Sequence, residues 1–145
     1  MAEPFRLQTI LDLSQNRMDD AARALAALLA SEQDHARKLL LLEDYRTEYQ
    51  GQFMSAARGG LTPGQWSNYR AFLARIDDAI RHQEHQVAQS RDRSQAGQRE
   101  WLDTRTRVKA FETLSERHQA SIAKNEARAE QRVADDRSGR PANDD

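Results

Sequence analysis

Apolar residues in this chain recur at alternating steps of four and three, and they do so along two long stretches. In the first stretch the line runs Leu7, Leu11, Ser14, Met18, Ala21, Leu25, Leu28, Glu32, His35, Leu39, Leu42, Arg46, Tyr49, Phe53. The step averages about 3.5 residues, the period at which one helix face stays turned toward a partner helix. A second line runs Trp66, Tyr69, Leu73, Ile76, Ile80, Gln83, Val87, Ser90, Ser94, Gly97, Trp101, Thr104, Val108, Phe111. It thins in the middle and recovers later. Both lines predict α-helix, and no segment shows the strict alternation of a strand.

The helix breakers locate the boundary between the two lines. Gly59-Gly60-Leu61-Thr62-Pro63-Gly64 is the one internal cluster of them. Gly59 or Gly60 suits the left-handed cap that ends a helix. Thr62 is a good N-cap, Pro63 fits the first helical position, and Gln65 three residues on completes a capping box. Leu61 and Trp66 are placed to form a hydrophobic staple across that cap. Pro4 suits the first turn of the first helix. The sequence therefore predicts an all-α fold with one helix over about 4–58, a turn at 59–62 and a second helix over about 63–134. The polar stretch 135–145 reads as a disordered tail.

A short connection makes the two helices antiparallel neighbours. Folding about residue 61 brings position i opposite roughly 122 − i. Phe53 then faces Tyr69, Leu42 faces Ile80, His35 faces Val87, Leu25 and Leu28 face Gly97 and Ser94, and Leu11 faces Phe111. Large residues meet small ones where the second line thins, as an interdigitated seam needs. At about 1.5 Å per residue the helices would be roughly 80 Å and 105 Å long, so Ile122–Ala134 should extend beyond the first helix.

Composition agrees with a narrow seam. Only 38% of the 145 residues are hydrophobic, below the near-half of a compact globule, and 31% are charged. The 22 basic and 23 acidic residues give a net charge of −1, which argues against a general nucleic-acid binder. The absence of Cys removes disulfides and thiolate metal sites. Met1–Ile10 carries no signal-peptide run, and no segment has the ~20 apolar residues of a membrane span, so a cytoplasmic location without direct membrane insertion is expected.

Candidate chemistry is sparse. His82 and His85 share a helix face, but two imidazoles lack the further ligands of a zinc site, and a solvated polar face accounts for them. Gly59-Gly60 lacks the Lys of a phosphate loop. Carboxylates are scattered at helical spacing beside basic residues, with no concave pocket for them to line. Neither catalysis nor a cofactor or metal is expected. One feature exceeds what a two-helix seam requires. Near the turn, Leu42, Tyr45 and Tyr49 form a ladder on the first helix, and Phe72, Ile76 and Ala79 form one on the second. Two helices leave part of this apolar surface uncovered, and such a patch marks a partner site, a thickened core or a homodimer contact.

The runs Asp44-Tyr45-Arg46-Thr47-Glu48-Tyr49 and Trp66-Ser67-Asn68-Tyr69-Arg70-Ala71-Phe72 resemble the DYxxEY and WxNYxxF patterns of the FliJ family of the bacterial flagellar type III export apparatus. Asp20-Ala21-Ala22-Arg23, Trp101 and Val108-Lys109-Ala110-Phe111-Glu112-Thr113-Leu114 are similar to it as well, and the likeness covers about residues 5–130. The resemblance implies an antiparallel coiled-coil hairpin similar to the central stalk of rotary ATPases. It implies three partners: the hexameric export ATPase (FliI-like), entered by the open end; the cytoplasmic domain of the export-gate protein (FlhA-like); and unloaded export chaperones. It implies a place at the cytoplasmic face of the inner membrane. The family's gate-binding surface falls on Leu42, Tyr45, Tyr49, Phe72, Ile76 and Ala79, the residues of the two ladders. Two flanking positions depart: a family glutamine is Lys38 here, and a family histidine is Gln83. A homo-oligomeric coiled coil and an export chaperone for a flagellar substrate are the alternatives.

Overall fold

The computed structural model describes residues 7–139. It contains two α-helices, α1 (Gln8–Ala57) and α2 (Pro63–Ser138), and no strand among the described residues. They pack antiparallel as a helical hairpin. The expected first turn at Pro4 lies outside the described residues, as do residues 140–145 of the expected tail.

The turn is built by local chemistry. The Gly59 and Gly60 amides donate to the carbonyls of Ala56 and Ala57 at 3.1 and 3.0 Å, closing the end of α1. Gly60 has φ +88°, a backbone state that costs an L side chain about 1 kcal/mol or more. The capping box is reciprocal: the Gln65 amide donates to Thr62 Oγ1 at 3.2 Å, and the Thr62 amide donates to Gln65 Oε1 at 3.0 Å. The Trp66 ring, expected as a staple to Leu61, lies against Phe53 and Tyr69, with centroids at 5.4 and 6.1 Å.

The chain divides into two compact units, each made of a piece of both helices. In the loop-side unit, Ala21–Trp101, the seam is mixed in character. Tyr69, Ile76 and Val87 are buried, and so are Gln83, Ser90 and Ser94. Every buried polar group in the seam has an outlet, as burial demands. Ser94 Oγ donates to the Leu28 carbonyl at 3.3 Å, Ser90 Oγ donates to the Val87 carbonyl at 2.8 Å, and Gln83 Nε2 donates to the His35 carbonyl at 2.9 Å. Among the described residues no buried side-chain polar atom lacks a partner. The small residues of α2 let the helices approach: a Cβ on Gly97 would meet Leu28 Cδ1 at 2.7 Å and Leu25 Cδ1 at 3.6 Å.

The terminal unit comprises the chain up to Asp20 and from Leu102 onward. Leu11, Val108 and Thr104 are buried there, and Ser14, Met18 and Phe111 are half-buried. Ala123–Gly139 is exposed at every position. α2 continues through Asp135–Ser138, where the tail was expected to begin. Gln131 Nε2 donates to Asp135 Oδ1 at 3.2 Å one turn along, and Arg137 places a cation at the negative end of the helix dipole. Those local terms favour helix over a sequence whose low hydrophobicity reads as disorder.

Candidate functional site

The site grows out of aromatic residues that the hairpin brings together in the loop-side unit. Phe53 and Tyr69 face each other across the seam, stacked with centroids 3.4 Å apart and planes at 10°. Tyr49 lies 5.5 Å from Tyr69 and 4.7 Å from Phe72. Tyr45 lies 6.4 Å from Tyr49 and meets Phe72 edge-on at 6.3 Å. Trp66, Phe53, Tyr69, Tyr49, Phe72 and Tyr45 therefore form one unbroken chain of ring contacts across the two helices. The tilted and edge-to-face pairs of this chain each add about 0.5–1.5 kcal/mol beyond the area they bury, a range that does not extend to the face-to-face Phe53–Tyr69 pair.

The six expected partner residues occupy three depths. Tyr45 and Ala79 are exposed, with 46% of the tyrosine accessible. Leu42, Tyr49 and Phe72 are half-buried, each showing an edge to solvent. Ile76 is only 5% exposed and belongs to the seam. At that depth its side chain faces the opposite helix and leaves little surface for a partner. Gln83 is a seam residue too: besides its bond to the His35 carbonyl it lies 3.3 Å from His35 Nδ1. A buried amide tied to the opposite helix fixes the pairing register and is not free to meet a partner. Lys38 and His82 are exposed.

Two more leucines of α1 are exposed, and one of them, Leu41, adjoins the patch. Leu40 is 58% exposed and Leu41 67%. The signal was in the run Leu39-Leu40-Leu41-Leu42, because four consecutive residues sweep most of a helical turn and a single seam covers only about half of it. Leu39 and Leu42 point inward, which leaves the middle pair outside. Leu41 stands one turn before Tyr45 on the same face.

An ion pair borders the rings. Arg46 Nε donates to Asp77 Oδ1 at 2.5 Å across the helices. The bond from Arg46 holds the Asp77 carboxyl below its ordinary value, and the same bond raises the Arg46 guanidinium. Arg81 pairs with Asp78 one turn along α2. Among the described residues no group of three His, Asp or Glu is placed to hold a metal ion. His85 Nε2 instead meets Gln89 Nε2 at 3.1 Å.

The profile of the flagellar FliJ proteins matches residues 3–144. The chain belongs to the FliJ family. Among its FliJ relatives, the flagellar FliJ protein of Escherichia coli strain K12 is 30% identical over 142 residues, covering 98% of this chain and 97% of that one. The flagellar FliJ protein of Salmonella typhi is 29% identical over the same coverage, and that of Bacillus subtilis strain 168 is 23% identical over 94% of this chain and 92% of its own length. In this FliJ-family chain the aromatic patch is a partly exposed set of rings in mutual contact, with an ion pair at its border.

Proposed function

We propose that this chain is the stalk and coupling component of the flagellar type III export apparatus. It binds the hexameric export ATPase (FliI-like) and the cytoplasmic domain of the export gate (FlhA-like), and it escorts unloaded export chaperones. It works from the cytoplasm, held at the inner membrane through its partners. None of its described helices is long and apolar enough to cross a membrane. Its role is to hold and transmit position between partners, with the nucleotide chemistry left to the ATPase.

The observation that carries this reading is the exposed rim of the aromatic chain. Tyr45 stands 46% exposed, yet its ring is fixed by Tyr49 and Phe72. A preorganised tyrosine loses little entropy on binding, which is why such residues dominate interface energetics. Three of the six residues that the family resemblance assigns to the gate, Tyr45, Tyr49 and Phe72, belong to this chain of rings.

The test is the affinity of the full chain for the gate's cytoplasmic domain, measured by calorimetry. Tyr45→Ala should weaken it by roughly 10-fold or more, the loss expected on truncating a central interface tyrosine. Tyr45→Ala with Tyr49→Ala should weaken it further, while circular dichroism at working temperature stays helical. Unchanged gate affinity in a helical double variant would sink the assignment of the patch.

A further inference from the structure

A second feature lies in the terminal unit and owes nothing to the aromatic patch. Ser14 and Arg17 are one turn apart on α1, Thr104 and Arg107 are one turn apart on α2, and the four line a single shallow recess at the seam. Thr104 is buried and Ser14 half-buried, so the floor is polar and built into the packing. Arg17 and Arg107 are exposed at its walls. Neither guanidinium makes an ion pair or hydrogen bond with another described residue, whereas the nearby Arg23, Arg105 and Asp20 are engaged. Asp103 stands one turn before Arg107 and Asp20 one turn after Arg17, so the two cations are partly offset along their own helices; across the recess they repel each other, and an anion that both reach turns that repulsion into two attractions. The guanidinium fork matches the two oxygens of a carboxylate, and the Ser14 hydroxyl adds a neutral donor.

We propose that Arg17 and Arg107 form an oxyanion clamp that takes an acidic side chain, Asp or Glu, presented by a segment of a partner protein. The recess is too shallow to enclose a free small molecule, so the anion must arrive on a larger body that supplies the remaining contact area. The chain's overall charge of −1 disfavours a polyphosphate backbone as that body.

The experiment follows the arginine Nε–Hε resonances of the full chain by NMR at low salt. The probe is a hexaglutamate peptide, with inorganic phosphate as a second arm. The exposed Arg58, which has no neighbour of this kind, is the internal reference for non-specific attraction. The Arg17 and Arg107 signals should shift together and saturate with the peptide well before Arg58 moves. Arg17→Gln and Arg107→Gln should each weaken that binding by about 10-fold, the loss of a charge-assisted bond, with helicity unchanged. Shifts that merely track Arg58 would overturn the clamp. Saturation by phosphate at lower concentration than by peptide would overturn the acidic-segment ligand.

Discussion

Single residues decide how closely the helices meet, and the glycines show it best. Gly51 is exposed inside α1, six residues before its last residue Ala57, with nothing within 4 Å of the Cβ it lacks. Gly51→Ala should therefore stabilise the chain by about 0.5–1 kcal/mol, the helix-propensity difference alone. At Gly97 the same gain is opposed, because the new Cβ would lie 2.7 Å from Leu28 Cδ1. That atom ends a flexible side chain, and moving it off its rotamer costs about 0.5–1.5 kcal/mol, so Gly97→Ala should come out near zero. Gly60, at φ +88°, gains nothing and pays for strain, so Gly60→Ala should destabilise by about 1 kcal/mol. Urea titrations of the three variants should rank Gly51→Ala above Gly97→Ala above Gly60→Ala. A Gly97→Ala variant as stabilised as Gly51→Ala would mean the helices are further apart there than this packing has them.

At the scale of elements, the hairpin was legible because its signals are local and periodic. The capping box at Thr62 and Gln65 and the heptad lines need only chain neighbours to be read, and Ser94–Leu28, Gly97–Leu25 and Phe53–Tyr69 all pair as folding about residue 61 requires. What sequence could not supply was depth. Ile76 and Ala79 sit one turn apart in the same ladder of α2, yet one is core and the other surface, because α1 covers only one edge of the stripe. Nor did spacing show that Arg46, placed on the seam line, would reach across to Asp77. That pair makes the junction pH-dependent with a definite sign. The carboxyl of Asp77 is lowered in the folded chain by the bond from Arg46. Its contribution is therefore complete above the unfolded value of about 4 and fades as pH falls through the lower folded value. Arg46 stays charged throughout. Asp77→Asn should lower the melting temperature most near neutral pH, and the gap from the parent chain should close on acidification below about pH 4. A gap that is constant with pH would show that the pair contributes through packing and not through charge.

Across the whole molecule, stability must be distributed unevenly, because cover is. Seam residues are buried or half-buried along most of both heptad lines, whereas Ala123–Ser138 keeps its helix with every residue exposed. Without a covered face, a helical stretch of this length is marginal in water, and it is held only because the packed part of α2 nucleates it. Between Lys124 and Arg132 its charges also oppose it. Lys124, Arg128 and Arg132 form a basic row at steps of four, and Glu126 and Glu130 form an acidic one, so nearest neighbours along each row carry like charge. Each such pair costs about 0.2–0.5 kcal/mol and is screened by salt. Hydrogen exchange should thus be fastest among the described helical amides over Ala123–Ser138, and should slow there as salt is added. Around the loop-side rings, where Arg46–Asp77 and Arg81–Asp78 are opposite-charge pairs, added salt should not slow exchange. Mass spectrometry of peptic fragments at two ionic strengths reads both trends at once. If protection over Ala123–Ser138 equals that of the buried Val87–Ser94 stretch, that end of α2 is covered by a contact absent from this hairpin, and if salt leaves its exchange unchanged, propensity and not charge governs its fraying.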